Sequence, residues 1–322
     1  MRRDYYLALE DDEVVRAGFC LKREEFLLDG EAVTLASFQG PVSEGLVNPA
    51  YGMLAFRLFR DMEAMQPNLF AWGPTERVME LMLRLKWRQF FMPLQVKVLN
   101  AGRFLRESTY LRGSPRNRIA LDALAVTGLG AMGLHLGQGL LAAHAAGQAG
   151  IDASEVASFG PWADEVWQVA SPAYRLIARR DATNLNALLP HGAWPHATIL
   201  RMARGDEVVG WAAIRDTQFA DDRRFGPQKV GTVLDALARP GYEAAVLSQA
   251  SIALRRRGVD AIVSNFTHPI WTAAFGAAGF FSIRGRRPLL FAPAAMATIK
   301  DDAVVTDGLH LTPLDGDGPL GL

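Results

Sequence analysis

The chain has 322 residues, half of them hydrophobic, with 34 basic and 34 acidic side chains and a formal net charge of zero. That length accommodates two domains, each with a buried core, and the charge balance argues against a nucleic-acid binder, which would show a basic surplus. The single cysteine, Cys20, rules out an intrachain disulfide and fits a reducing, cytoplasmic setting. It sits in the apolar run Ala17 to Leu21 and reads as a small buried hydrophobe.

The opening Met1-Arg2-Arg3-Asp4 shows no apolar export signal. Val14 to Leu21 reads as a strand, and Asp29-Gly30 turns into a second over Ala32 to Phe38. A third short run, Pro41 to Val47, ends at Asn48-Pro49. Tyr51 to Met65 carries Leu54, Leu58, Met62 and Met65 at helical spacing, with Phe59 beside them. Asn68 to Trp72 reads as a buried strand, Pro74 to Trp87 as a helix opened by proline, and Leu94 to Leu99 as a strand.

Between Asp122 and Asp152 no charged residue occurs, and glycine and alanine dominate. The stretch is long enough to span a bilayer, but its small residues give weak transfer energy, so a helix packed closely between two halves is the more economical reading. Arg112, Arg116 and Arg118 just before it suit a membrane-surface role as the alternative. Stable insertion is not expected.

The pattern then returns. Trp162 to Arg179 reads as helical, broken at Pro172. Ala197 to Ala203 and Val208 to Thr217 form a hairpin, Val230 to Ala236 a strand and Gly241 to Arg257 a helix. Val259 to Ser264 is a buried strand, His268 to Ala278 a helix, and Pro288 to Ala292 a strand. Both halves thus follow one order: hairpin, strand, helix, strand, helix, strand. An α/β chain with mixed sheets follows, divided as residues 1–110, a Gly/Ala-rich helical linker over 111–155, a second half over 156–296 and a polar tail over 297–322. The tail is either a loose end or a strand that returns to the core.

Two strings in this frame resemble the GNAT acyltransferase superfamily. Leu46-Val47-Asn48-Pro49-Ala50-Tyr51-Gly52 resembles its strand-loop-helix junction. Val259 to Asn265, followed by a helix and Ala278-Gly279-Phe280, resembles its later strand and helix end. The resemblance implies two tandem, Fem-like halves and an N-acyltransferase that takes acyl-CoA as donor and an amine as acceptor, such as an amino sugar or a cell-wall precursor. Aminoacyl-tRNA as donor, or a fold retained only for binding, are the alternatives.

The family's phosphate loop is eroded in both halves: each offers one glycine, Gly52 or Gly241, and Pro240 lacks an N–H. Val47, Asn48, Tyr51, Gly52 and Met53 are the donor-side residues the resemblance implies. The tyrosine that serves the family as general acid is replaced by Phe275 and Met82. Glu44, expected on a strand facing the cleft, is either a general base or a solvated carboxylate, with Ser43 beside it as a substrate contact. Asp235 is a second cleft carboxylate or the partner of Arg239. Asn265, Thr267 and His268 gather at a strand end where ligands collect, although His268 before Pro269 equally suits a helix cap. If the tail folds back, His310, Thr312, Asp315 and Asp317 line an acceptor site. Arg179-Arg180-Asp181 with Asn184 and Asn186 is a capped helix boundary or an anion grip. No metal motif is present, the lone G-x-G-x-x-G-like match at Gly128–Gly133 lacks its strand and acidic partner, and the sequence is silent on oligomeric state.

Overall fold

A computed structural model describes residues 2–11, 13–108, 133, 136, 138, 150–222 and 224–318. Apart from isolated positions, the uncharged Gly/Ala segment lies outside the described residues.

The first half opens with three antiparallel strands: β1 (Arg2–Glu10), β2 (Val14–Leu28) and β3 (Glu31–Ser43). Helix α1 (Leu54–Met65), strand β4 (Leu69–Trp72), helix α2 (Glu76–Arg84), strand β5 (Arg88–Val98) and helix α3 (Ala101–Glu107) follow. The second half has β6 (Asp152–Val156), α4 (Pro161–Ala170), β7 (Leu176–Ala178) and α5 (Ala182–Leu188). Next come β8 (Ala197–Arg204), β9 (Glu207–Gln218), β10 (Lys229–Ala238), α6 (Glu243–Arg256), β11 (Ala261–Ser264), α7 (Pro269–Ala277) and β12 (Phe281–Phe291). Over its described residues, to 318, the tail is built rather than loose: α8 (Pro293–Ile299), α9 (Asp302–Asp307) and β13 (Leu309–His310).

The shared order of the halves is present, shifted by one strand. The partner of the β8–β9 hairpin is β1–β2, so the two runs expected at Ala32 to Phe38 and Pro41 to Val47 are one strand, β3, matching β10. The expected helix over Trp162 to Arg179 stops at Ala170, because Pro172 has no N–H to continue it, and the chain then re-enters the sheet as β7.

All strands among the described residues join one mixed sheet, ordered β13-β7-β2-β3-β4-β12-β5-β11-β10-β9-β8-β6, with β1 on β2. The last strand of each half is exchanged. β12 lies between β4 and β5, and β5 lies between β12 and β11. Two cores flank this seam, one around Phe26, Phe70 and Phe291, the other around Trp211, Leu234, Phe266 and Trp271. Strand β7 serves both, since side chains alternate along a strand: Leu176 and Ala178 enter the first core and Ile177 the second.

In each half the two central parallel strands part company. β3 pairs with β4 only at Ala36–Leu69 and Ser37–Phe70, and β10 with β11 only from Val230–Ala261 to Thr232–Val263. Beyond those pairs each couple opens into a fork.

Candidate functional site

The tail runs through both forks. In the second, the Leu314 N–H donates to the Leu234 carbonyl at 3.1 Å. In the first, Gln39 Nε2 donates to the Gly316 carbonyl at 2.5 Å. Leu234 and Gln39 each stand two residues beyond the last paired residue of their strand, so the same position in each half holds the tail. Gly316 is required there: a Cβ would come within 2.4 Å of the Trp72 ring.

What holds the tail between the forks is a buried ionic cluster. Arg180 is fully buried, placing Nε 2.9 Å from Asp235 and Nη2 2.6 Å from Asp315. Lys22 donates to the carbonyls of Leu314 and Asp315 at 2.5 and 3.1 Å and pairs with Glu24 at 3.0 Å. Asp315 also accepts from the Thr312 N–H at 2.8 Å. Two cations thus face three carboxylates. Burial, outweighing the attraction of Arg180, pushes Asp235 up to about 7 and raises Glu24, which moves the cluster toward neutrality. The expected pairing of Asp235 with Arg239 is not formed: Arg239 turns to Glu207 and the Val208 carbonyl, because β10 points Asp235 inward. Beside the cluster, His310 lies between the rings of Tyr174 and Trp271, and burial holds it well below the usual histidine range.

Of the second-half residues read from the sequence, His268 caps α7 by accepting the Ile270 N–H at 3.2 Å on Nδ1, and burial lowers it to about 4. Thr267 Oγ1 donates to the Leu309 carbonyl at 2.6 Å and accepts from the Leu311 N–H at 2.9 Å, fastening the tail. Asp181 caps α5 by accepting the Asn184 N–H. At the start of α6, Glu243 accepts the Gly241 N–H at 2.9 Å with its own carboxylate. The second half therefore presents an anion where the family's pattern would bind one.

The first-half loop is differently made. Glu44 is not on the strand but in a short 3-10 turn after β3, because Ser43 caps that turn by accepting the Gly45 N–H. Glu44 accepts from Arg16 at 2.7 Å, and Arg16 also holds Glu10, which accepts from Tyr51 Oη at 2.9 Å. Asn48 caps a second turn at Ala50, and the Gly52 N–H goes to the Pro49 carbonyl. Val47 and Met53 are exposed, and Met53, the residue before α1, gives that helix no side-chain cap.

Asn265 and Asp317 are brought to one side chain that the sequence reading missed. Arg287, from an irregular stretch of β12, donates to Asn265 Oδ1 at 3.4 Å and to Asp317 Oδ2 at 3.1 Å, and lies over the Trp72 ring. Asp317 closes the inner end of a groove of about 370 Å³ between β1 and β3. The floor is Gly18 and Cys20, the walls Tyr5, Leu7 and Val42, and the inner end Arg3, Gln39 and Asp317. Partial desolvation raises the Asp317 pKa, against the pull of Arg287 and Arg3. A carboxylate so placed can accept a proton. Arg287 belongs to a short basic run, Arg284 to Arg287, that reads as solvated, and nothing marked Arg3 or Gln39, since the three are gathered only by the folded sheet and tail.

No protein-family model and no curated protein sequence matches the chain. Among solved structures it is similar to a GCN5-related N-acetyltransferase from Anabaena variabilis, with a TM-score of 0.53 and 9% identity over 89% of this chain and 62% of that one. It is also similar to Saccharomyces cerevisiae N-myristoyltransferase with bound myristoyl-CoA, at 0.52 and 9% over 88% and 67%. A third is a probable N-acyltransferase from Enterococcus faecalis, at 0.51 and 9% over 89% and 61%. The chain spans about three fifths to two thirds of the length of these structures. At such identity the likeness is one of fold: the chain has a mixed α/β fold of the GNAT type. Among the described residues no helix is long and apolar enough to cross a membrane.

Proposed function

We propose that the chain is an N-acyltransferase whose first half carries the chemistry and whose second half braces it. The observation that supports this reading is the groove between β1 and β3, which ends on the carboxylate of Asp317. An amine acceptor lies in the groove and gives its ammonium proton to Asp317. The freed nitrogen attacks the carbonyl carbon of a thioester beside the first fork; the C–N bond forms, the C–S bond breaks with its electron pair going to sulfur, and the thiolate takes the second N–H proton and leaves as the thiol.

Acyl-CoA is the donor class, as in the N-myristoyltransferase of the comparison, which holds myristoyl-CoA. The second half does not fit its phosphates, because Glu243 closes the start of α6. The start of α1 does: Met53 supplies no side-chain cap, and a helix start favours anions. When bound there, the donor supplies the activated acyl carbon; this chain's own groups orient the amine and take its proton. Glu44, held by Arg16, shapes the loop rather than accepting the proton.

Mass spectrometry of reactions with acetyl- to palmitoyl-CoA and a panel of amines tests this. An acylated product is expected, and Asp317→Asn should slow its formation by about 10²-fold or more. No product with any pair, and no thermal stabilisation by any CoA ester, would overturn the reading. A second reading, a binding protein on this fold, is favoured by Phe275 and Met82, both fully buried where the family's acid would stand. It predicts ligand stabilisation without turnover.

A further inference from the structure

The walls and the inner end of the groove call for opposite things. Tyr5, Leu7 and Val42 are apolar and more than half exposed, at 74%, 60% and 61%. They offer no polar partner along the groove beyond the hydroxyl of Tyr5. The inner end carries both signs of charge. Arg3 makes no ion pair among the described residues, yet stands near enough to Asp317 and to Cys20 to pull on the titration of both. Asp317 spends Oδ2 on Arg287, leaving Oδ1 for another donor. Gln39 spends its amide nitrogen on Gly316 and Ser37, leaving its carbonyl oxygen.

A ligand with only an ammonium would meet Arg3 and Arg287 without an anion of its own to oppose them. One with only a carboxylate would meet Asp317. A zwitterion answers both, with a charge-assisted bond on each side. A sugar would press hydroxyl groups against Leu7 and Val42, where their lost water contacts go unreplaced. The space, about 370 Å³, lies within the range of small-molecule sites.

We infer that the groove binds an α-amino acid with an apolar side chain. The α-carboxylate lies on Arg3, the α-ammonium on Asp317 Oδ1 and the Gln39 carbonyl, and the side chain runs along Tyr5, Leu7 and Val42. This names the acceptor of the transfer proposed above and rests on that reading for the reaction only; the binding stands without it.

Cys20 supplies the test, because it is the one cysteine of the chain and forms the groove floor. The rate at which an aromatic disulfide reagent labels it reports occupancy. Free L-leucine or L-phenylalanine, at about ten times its dissociation constant, should slow labelling about tenfold by mass action. Phenethylamine, 3-phenylpropionate and glucosamine at the same concentration should leave the rate within about twofold of the free protein. Arg3→Gln should abolish protection by the amino acids, and Arg3→Lys should restore part of it. Equal protection by either singly charged analogue or by the sugar overturns the inference, as does no protection by any amino acid in the wild-type protein. The outcomes separate from those of the transfer reaction. Protection without any acylated product leaves the amino-acid site standing and overturns the transfer. Acylation of an amino sugar without amino-acid protection does the reverse.

Discussion

The two forks are built alike and filled differently. In the second, a backbone N–H of the tail bonds to β10, Leu314 is fully buried in the core, and Glu243 closes the neighbouring helix start. In the first, the tail is held by a side-chain amide, Gly316 rests on the face of Trp72, and the next residue, Asp317, emerges into an open groove. In the second copy of the fold the tail is sealed into the core, and in the first it reaches an open groove. The difference arises from where a single segment enters and leaves the interior, and it can be tested one contact at a time.

The largest effect belongs to the cluster that both forks share. Arg180→Leu leaves Asp235 and Asp315 buried without their cation and should cost about 3–5 kcal/mol, read from denaturant unfolding. If the loss were under 1 kcal/mol, the cluster would not be what fastens the tail. Next come the forks themselves. Leu314→Ala opens a cavity in the second core and should cost about 2–5 kcal/mol. Gly316→Ala overpacks the first fork against Trp72 and should cost about 1–3 kcal/mol. The order matters: a costlier first fork would mean that it, not the second, is the rigid one.

The third test is pH, which acts on groups beside the second fork. Asp235 is raised from 3.8 to about 7, so its stabilising contribution is full below about pH 4 and is lost as pH rises through 7. His268 is lowered from 6.5 to about 4, and His310 is lowered too. Their contribution is full above about 6.5 and is lost as pH falls toward 4. The two slopes oppose each other between pH 4 and 7. Glu24, raised in the same cluster, keeps the sign of Asp235, so Asp235→Asn removes part of that slope, and the variant's melting temperature should climb more steeply from pH 4 to 6.5 than the parent's. A variant as flat as the parent would mean that Asp235 does not carry the acidic slope.

Much of this frame was legible in the sequence. The spacing of Leu54, Leu58 and Met62 gave α1, the run Val259 to Ser264 gave β11, and His268 before Pro269 announced the cap it forms. The tail returns to the core, one of its two readings, but of the residues read as lining an acceptor site His310, Thr312 and Asp315 are buried inside it, and Asp317 alone reaches the groove. What could not be read is any feature made by distant strands. The strand-like stretch after Asp4 is β1, but its pairing with β2 is not written in it, and the exchange of β5 and β12 leaves no local trace. Asp235 and Arg239 stand four residues apart, a spacing that brings side chains together on a helix. On β10, where the backbone bulges between Val233 and Asp235, the carboxylate turns inward to Arg180 instead. Arg287 follows the same logic, since its partners lie 22 and 30 residues away.

The smallest effect on stability is the sharpest for function, and it sets Glu44 against Asp317. Both carboxylates hold an arginine: Glu44 takes Arg16 at 2.7 Å, Asp317 takes Arg287 at 3.1 Å. Each pair is partly exposed, so neutralising either carboxylate should cost under about 1 kcal/mol in unfolding. Their surroundings differ. Glu44 sits in a turn and takes both Arg16 and, at 3.5 Å, the amide of Asn48, whereas Asp317 faces the groove with one oxygen uncommitted. Glu44→Gln should therefore leave acyl transfer within about threefold of the parent, while Asp317→Asn should slow it by about 10²-fold or more. Product formation measured for both variants at one pH decides between them. Were Glu44→Gln the crippling change, the proton would leave through the loop at α1 instead of the groove, and the acceptor would have to approach from that side of the first fork.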